Sequence, residues 1–292
     1  MLAFVLRRLF QAALVMLAVA FVAFSLFNYV GDPVNLMLGQ DATPEQKKEL
    51  RESLGLDQPD YVQFAVFVKN AVKGEFGLSL KQGRLVSTLI KERLPATLEL
   101  ALVAGGLALL GGLLMGVYTA LRRDSWLSQF LLTVSLIGVS LPNFLIGILL
   151  ILVFAVTLQW LPSYGRGDVT AIGWWTTGFL TTGGLRALVL PAVTLSLFPM
   201  TLIMRLVRSE MLEVLRTDYI KFARARGLTN RAVHFGHALK NTLVPVMTIT
   251  GLQLGSIIAF AIVTETVCQW PGMGFLFIPS VQFADIPVMA RF

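Results

Sequence analysis

The stretch TDYIKFARARGLTNRAVHFGHALKN, residues Thr217 to Asn241, decides how this chain is organised, because it is basic and polar yet lies between two strongly apolar runs. From Ser209 to Arg226, apolar side chains recur at helical spacing and form one stripe. The stripe consists of Met211, Leu212, Leu215, Tyr219, Phe222 and Ala223. Gly227 is placed to end this helix in the left-handed conformation, and Thr229 to cap a second helix. The residues alone leave two interpretations open: a basic amphipathic helix lying on lipid headgroups, or a helix that docks a cytoplasmic partner.

The composition places the rest of the chain in a membrane. Of its 292 residues 55% are hydrophobic and only 14% are charged, whereas a soluble domain carries roughly 25% charged residues. The mean hydropathy is +0.73. The net charge of +7 is concentrated in loops, which favours the positive-inside bias of a membrane protein over nucleic-acid binding. A single cysteine, Cys268, excludes an intramolecular disulfide and a cysteine-rich metal site.

Intervals without charge predict the membrane spans, since a helix needs about 20 apolar residues to cross the hydrocarbon core. Five spans are predicted, at about 9–31, 99–121, 127–158, 187–206 and 241–265. Two further charge-free stretches, Ala171 to Leu185 and Thr266 to Ala284, are interrupted by glycine or proline and are predicted to be re-entrant or interfacial turns.

The distribution of Lys and Arg predicts the orientation. Arg7, Arg8, Arg122, Arg123 and the basic residues between 205 and 240 share one side if the N-terminus is cytoplasmic. The chain then divides into an N-terminal anchor helix (1–31), a long extracytoplasmic loop region (32–95) and a membrane domain (96–292) that contains the basic segment 208–240. A fifth span leaves the C-terminus outside.

Motifs along nearly the whole chain resemble one family, the inner-membrane permease subunits of ATP-binding-cassette importers, in the dipeptide/oligopeptide branch that also contains nickel and glutathione permeases. The motifs that carry the resemblance are GDP (31–33), LGLDQPDYVQF (54–64), GEFGLSL (74–80), RLPATLELAL (93–102), SLPNFLIGILLILVFA (140–155), WLPSYGRG (160–167), LPAVTLSL (190–197), RSEMLEVLRTDYIKFARARGL (208–228), HALKNTLVPV (237–246) and ETVCQWPGMG (265–274). Singly they mean little; in this order and spacing they identify the family.

The resemblance implies an all-α integral membrane protein with the type I importer permease fold, of which five spans are visible. Such permeases normally continue past ADIPVM (284–289) with a sixth span, which we expect to be absent from these residues. The family implies a bacterial cytoplasmic (inner) membrane, multi-pass location. It also implies four partners: a second homologous permease subunit, two cytoplasmic ATPase subunits and an extracytoplasmic solute-binding protein, for which the loop 32–95 is a plausible dock.

The implied function is to form half of a passage for di- or oligopeptides, with a nickel chelate, glutathione or another small solute as the alternative. The chain contains no Gly-Lys dipeptide and therefore no phosphate-binding loop of the G-x4-GK[ST] type. We expect it not to be an enzyme and to bind no cofactor or metal itself, with ATP and Mg²⁺ held by the partner subunits.

Within the family, the segment 208–240 corresponds to the coupling helix that fits a groove on the ATPase. Its signature is written EAA-x3-G; aligned on Gly227, the first positions fall on Lys221, Phe222 and Ala223, so that only Ala223 and Gly227 match literally. The residues that the resemblance assigns to ATPase coupling are Glu213, Asp218, Tyr219, Phe222, Ala223, Arg224, Ala225 and Gly227.

Polar residues within or at the ends of spans are candidates for the passage. They are Ser140, Asn143, Thr194, Ser196 and Glu265. The alternative for each Ser and Thr is a hydrogen bond to its own helix. Glu265 and Glu99 are predicted to sit exposed near the outer surface, and a gate role for Glu265 is a hypothesis.

Two rival classes are an autonomous secondary transporter and a membrane anchor that conducts nothing. A secondary transporter predicts an internal repeat and a membrane-buried ionisable pair. Neither is visible in the sequence.

Overall fold

We analysed a computed structural model of the chain, which describes residues 2–30, 34, 38, 43–53, 56–75, 77, 79, 82–282 and 288. It divides into two compact units, one formed by residues 1–92 with 276–292 and the other by residues 93–275. Apart from residue 288, the stretch 283–292, on which the expected absence of a sixth span depends, lies outside the described residues.

Among its described residues the first unit includes the helices α1 (Leu2–Val30), α2 (Pro44–Ser53) and α3 (Asp60–Lys73). The helix α1 covers the first predicted span, and an aromatic cluster of Phe21, Phe24, Phe64 and Phe67 packs it against α3, with ring centroids 5.4 Å apart for Phe21 and Phe64. The stretch 32–95, predicted as a loop region, therefore holds α2, α3 and the first turns of a further helix, α4 (Val86–Leu121). The side of the membrane on which it lies stays a prediction.

The second unit holds the remainder of α4 and the other long helices. Its further elements are α5 (Trp126–Ser140), α6 (Asn143–Leu150) with a π-helical continuation (Ile151–Thr157), β1 (Thr170–Ile172), β2 (Trp175–Thr177), α7 (Thr182–Val214), α8 (Asp218–Ala225), a second π-helical turn (Ala232–Ala238), α9 (Leu239–Val267) and the start of α10 (Met273–Gln282). The helices α4, α7 and α9 form the core of this unit.

Four helices in the described residues are long and apolar enough to cross a membrane, or five spans if α5 and α6 with its π-helical continuation count as one. The predicted third span at 127–158 corresponds to this broken pair, whose two halves are bent by 112° at Leu141 and Pro142. Proline has no N–H to continue the helix and forces the preceding residue into extended backbone. Leu141 has φ −91° and ψ 137° accordingly.

The stretch from Ala171 to Leu185 was predicted to be a re-entrant or interfacial turn, and its position relative to the membrane stays a prediction. It contains the antiparallel hairpin β1–β2, with Ile172 opposite Trp175 and Gly173 at a φ of +64°, followed by the start of α7. The other interrupted stretch, Thr266 to Ala284, contains a turn and the helix α10, whose ten residues in the described part of the chain are fewer than a membrane span needs.

Glycines let α4 approach α7 closely. A Cβ at Gly112 would lie 2.8 Å from the Cβ of Ile203, and a Cβ at Gly116 would lie 2.6 Å from the Cβ of Val207. Because Gly112 and Gly116 are four residues apart they share one face of α4, and small residues on such a face allow the close packing that holds helices together in lipid.

Candidate functional site

The predicted coupling segment is not one continuous helix from Ser209 to Arg226, as its stripe suggested. The helix α7 ends at Val214 and α8 begins at Asp218. Between them Thr217 takes extended backbone, with φ −65° and ψ 155°, and its hydroxyl donates a hydrogen bond of 2.6 Å to the Val214 carbonyl. The apolar stripe therefore passes through a corner at Thr217, where the helical backbone is interrupted.

The inner face of α8 is anchored in the protein. Ile220 is fully buried and Ala223 is 7% exposed, and both belong to one hydrophobic cluster with residues from α7, the second π-helical turn and α9. The cluster members from those elements include Val207, Met211, Val233, Ala238 and Val246. Ala223, one of the predicted ATPase contacts, thus faces the interior of the protein.

The outer face of α8 is open. Among the predicted coupling residues, those that are exposed are Glu213, Asp218, Tyr219, Phe222, Arg224, Ala225 and Gly227. Phe222 is 63% exposed, with the Arg226 guanidinium 5.7 Å from its ring centre. A large aromatic ring on a surface that also carries several charges is typical of a contact residue.

The turn after α8 is held in place by backbone hydrogen bonds. Gly227 has a φ of +78°, its N–H donates to the Arg224 carbonyl, and the Leu228 N–H donates to the Ala223 carbonyl. This pair of bonds is the Schellman motif, so the predicted left-handed stop at Gly227 is confirmed. The predicted cap is also present, because the hydroxyl of Thr229 accepts a hydrogen bond from the N–H of Ala232 at 3.4 Å.

A side-chain bond joins α8 to α9. The amide of Asn241 donates to the Tyr219 hydroxyl at 2.6 Å. Together with the buried Ile220, this bond fixes α8 to the helices on both sides of it. A force on the open face of α8 would therefore reach α7 and α9.

The predicted pathway residues divide into two groups. The hydroxyls of Ser140, Thr194 and Ser196 each donate to a carbonyl of their own helix, at 2.8, 2.8 and 2.9 Å. Thr194 and Ser196 are buried, Ser140 is exposed at the end of α5, and Asn143 is half-buried at the start of α6. The alternative interpretation of the hydroxyls thus has direct support, and a role of these residues in a passage stays a prediction.

Glu265 is fully buried, so the prediction of an exposed carboxylate is wrong. Its Oε1 accepts a hydrogen bond from the Thr97 hydroxyl at 2.5 Å, and its Oε2 accepts from the N–H groups of Gly274 and Phe275 at 2.7 and 3.2 Å. These N–H groups belong to the first turn of α10 and have no partner within that helix. Glu265 therefore joins α9, α4 and the start of α10.

The turn WPGMG is shaped by this carboxylate. A side chain at Gly272 would collide with the carboxylate of Glu265, and one at Gly274 would collide with the α9 backbone at Ile262. Trp270 is 1% exposed and its indole N–H donates to the Ala96 carbonyl at 3.0 Å. Glycine is required where the chain passes so close to another group.

Glu99 is also buried, contrary to the prediction, and forms an ion pair with Arg166. The Arg166 Nη2 lies 2.6 Å from the Glu99 Oε2, with the two side chains 6% and 3% exposed. The guanidinium also donates to the hydroxyl and carbonyl of Thr176 at 2.9 and 2.6 Å, and the Trp175 indole donates to Glu99 at 3.3 Å. The pair therefore fastens the β1–β2 hairpin to α4.

No buried ionisable pair was visible in the sequence, but the structure contains one, Glu99 with Arg166. The pair could not be seen in the predicted spans because Arg166 lies in a loop outside all of them. Thr97, Trp270 and Arg166 are the residues of this region that the sequence did not single out. The density of Trp, Pro and Gly around 270–274 was the only local sign of a constrained site.

Other chemistry is sparse in the part of the chain that the structure describes. No group of three or more His, Cys, Asp or Glu side chains there is arranged to hold a metal ion. Cys268, which directly follows α9, is buried, and burial raises the pKa of its thiol to about 11. A thiol with so high a pKa is a poor nucleophile at neutral pH.

These features define a multi-pass helical membrane protein with an anchored helix, α8, that presents an open face between two spanning helices. Residues 112–290 match the family described as "Binding-protein-dependent transport system inner membrane component", and residues 1–101 match the family of its N-terminal part. The chain belongs to this family of transport-system membrane components. The expectations of a permease and of its helical membrane fold are thereby confirmed.

Curated relatives match over almost their whole length. A dipeptide transport system permease of Alkalihalophilus pseudofirmus is 35% identical, over 99% of this chain and 91% of the relative. A di/tripeptide transport system permease of Pseudomonas aeruginosa is 41% identical, over 99% and 90%. An oligopeptide transport system permease of Bacillus subtilis is 38% identical, over 99% and 90%. Among solved structures, an inward-facing methionine ABC transporter, MetNI, matches with a TM-score of 0.49 and 20% identity, over 69% of this chain and 84% of that one.

Proposed function

We propose that this chain is the permease subunit of an ATP-driven importer and forms half of a passage for di- or oligopeptides. The observation that carries the proposal is the open face of α8, with Phe222 63% exposed on a helix whose other face is buried. The peptide substrate is supported by the names of the relatives, all of which are peptide permeases. A nickel chelate, glutathione or another small solute is the alternative cargo.

The partners in this proposal are a second homologous permease subunit, two cytoplasmic ATPases and an extracytoplasmic solute-binding protein. The family description itself refers to a binding protein. ATP and Mg²⁺ are bound and ATP is hydrolysed in the ATPase subunits, so that this chain contributes no catalytic residue and holds no cofactor. It lies in the bacterial inner membrane with a cytoplasmic N-terminus, which puts α8 on the ATPase side.

The contacts of α8 suggest how work would be transmitted. An ATPase pressing on Tyr219 and Phe222 moves a short helix whose Ile220 lies in one cluster with α7 and α9. Because packed helices move as rigid bodies, a displacement of α8 shifts both long helices together. Such a shift would open the passage between the two permease subunits alternately to each side.

The proposal is tested by replacing Phe222 with Ala in the full transporter expressed in its native membrane. The matched control is Phe130→Ala, the same change at a side chain that is 55% exposed on α5. We expect Phe222→Ala to reduce both co-purification of the ATPase and ATP-driven peptide uptake by about tenfold, the size of a contact worth ~1.4 kcal/mol. Phe130→Ala should leave both unchanged.

Gly227→Pro is a harsher test of the same segment, since proline requires a φ near −65° where the chain has +78°. We expect uptake to be lost while the subunit stays in the membrane. Normal uptake in this variant, or the absence of any ATPase from the purified wild-type complex, overturns the proposal. Identifying the ligand of the cognate binding protein distinguishes a peptide from a metal chelate or glutathione.

A further inference from the structure

A groove opens on the surface of the second unit where α4 ends. It has a volume of about 410 Å³ and lies between the last turns of α4 and the start of the α9 segment. Its lining is formed by Leu113, Leu114, Val117, Tyr118, Leu121, Arg122, Phe235 and Leu239. The groove is separate from the open face of α8 and from the buried cluster around Glu265.

The apolar lining residues form two walls. Leu113, Val117 and Leu121 follow one another at spacings of four on a single face of α4. With a rise of 1.5 Å per residue, this apolar wall is about 12 Å long and runs parallel to the helix axis. Phe235 and Leu239, also four residues apart, form the opposite wall. The groove thus runs along a spanning helix and is lined by apolar side chains, as a binding site for a lipid acyl chain requires.

A cation stands at the end of the groove where α4 ends. Arg122 immediately follows the last residue of α4 and is the only charged residue of the lining. Its side chain is exposed, and no carboxylate in the described part of the chain lies within ion-pair distance of it. Tyr118 is 36% exposed beside it, and Trp126, a few residues further on, is 78% exposed. Tyrosine and tryptophan are enriched where membrane meets water.

We infer that this groove is a binding site for an anionic phospholipid, with the phosphate headgroup at Arg122 and one acyl chain along the apolar walls toward Leu113. Basic pockets between spanning helices on the cytoplasmic side are known to hold anionic headgroups. A soluble anion would leave the apolar walls unused, and a zwitterionic lipid would bring its own cationic group close to Arg122 together with its phosphate. The two parts of the groove together fit an anionic lipid.

The test is native mass spectrometry of the full-length purified chain titrated with phosphatidylglycerol or phosphatidylcholine of identical acyl chains. One arginine near an anionic surface contributes enough for about a fivefold preference. We expect the wild type to bind phosphatidylglycerol about fivefold more tightly, Arg122→Gln to lose this preference and Arg122→Lys to keep most of it. Arg123→Gln is the matched control, because Arg123 is an exposed neighbour that does not line the groove, and it should keep the preference.

A second variant tests the apolar part. Leu114 is 69% exposed, so Leu114→Trp adds bulk at the groove without disturbing the core, and we expect it to weaken binding of both lipids. Equal binding of the two lipids by the wild type, or equal loss of preference in Arg122→Gln and Arg123→Gln, overturns the site. Unchanged binding in Leu114→Trp overturns the placement of the acyl chain. The measurement uses neither ATP nor partner subunits, so its outcome is independent of the transport function.

Discussion

The two ends of the α7–α9 region use charged and aromatic residues in opposite ways. At the α8 end, Phe222 and several charged side chains lie on the surface, and only Ile220 and Ala223 reach inward. At the Glu265 end, a carboxylate and a tryptophan are fully enclosed, and the two N–H groups that donate to the carboxylate lie in the first turn of α10 and have no partner within that helix. The same residue types thus form an open surface at one end and a closed polar core at the other.

The difference shows which end is free to change. A buried carboxylate is stable only while its hydrogen-bond partners stay in place, so the Glu265 end resists rearrangement. Apart from Tyr219, whose hydroxyl accepts the hydrogen bond from Asn241, the exposed side chains of α8 can be altered at little cost in stability, because they support no core. Substitutions at the closed end should therefore reduce stability, and substitutions at the open end should affect partner binding.

The largest effect is expected for Arg166→Met, which leaves Glu99 buried without its countercharge. Breaking one partner of a buried ion pair costs about 3–5 kcal/mol. The double variant Glu99→Leu with Arg166→Met should be less destabilised than Arg166→Met alone, since no unpaired charge remains. The free energy of unfolding in mixed detergent micelles measures both, and a double variant as unstable as the sum of the two single variants would contradict the pairing.

Glu265→Ala is expected to cost about 2–3 kcal/mol, because it removes the acceptor of the N–H groups of Gly274 and Phe275. Glu265→Gln keeps one acceptor oxygen and should cost less. Uptake measured beside stability decides between two roles for this residue. If Gln retains stability but abolishes uptake, Glu265 acts as a gate; if uptake follows stability in both variants, it is a structural cap.

At the open end, Gly227→Ala should cost only about 1 kcal/mol. No atom lies within 4 Å of a Cβ placed there, so the cost comes from the φ of +78° alone. Gly236→Ala is the control, because that position is equally open but has no positive φ. The control should be neutral or slightly stabilised in thermal unfolding. Equal destabilisation of the two variants would show that the turn conformation is not what matters.

The last prediction concerns the reactivity of the Cys268 thiol in the unaltered protein. Burial raises the pKa of this thiol to about 11, so the thiolate is scarce at pH 8 and becomes common only as the pH approaches that value. We expect iodoacetamide at pH 8 to alkylate the native protein about two-hundredfold more slowly than the chain unfolded in SDS, where the pKa returns to about 8.5. Alkylation at equal rates would show that the closed end opens readily.

Much of the fold could be predicted from the sequence because its signals are local. Charge-free runs predicted four of the spans, with ends that differ from the observed helix ends by between a few residues and about a dozen. Gly227 and Thr229 were identified as a helix stop and a helix cap from their chemistry alone. Pro142 marks the position of the break in the third span, but a charge-free run does not show on its own whether a proline bends a helix or ends it. The corner at Thr217 was hidden because the apolar stripe continues through it.

The sequence by itself determined that the chain crosses a membrane, which family it resembles and which segment between two apolar runs carries the clustered basic residues. These follow from hydropathy and from short motifs, which depend on neighbours along the chain. Only the tertiary structure decided that Glu99 and Glu265 are buried, that Arg166 pairs with Glu99 and that Ala223 faces inward. Glu99 and Arg166 are 67 residues apart in the chain, and Thr97 and Glu265 are 168 apart. Whether such a charge is exposed or enclosed depends on what distant segments bring to it, and no local pattern carries that information.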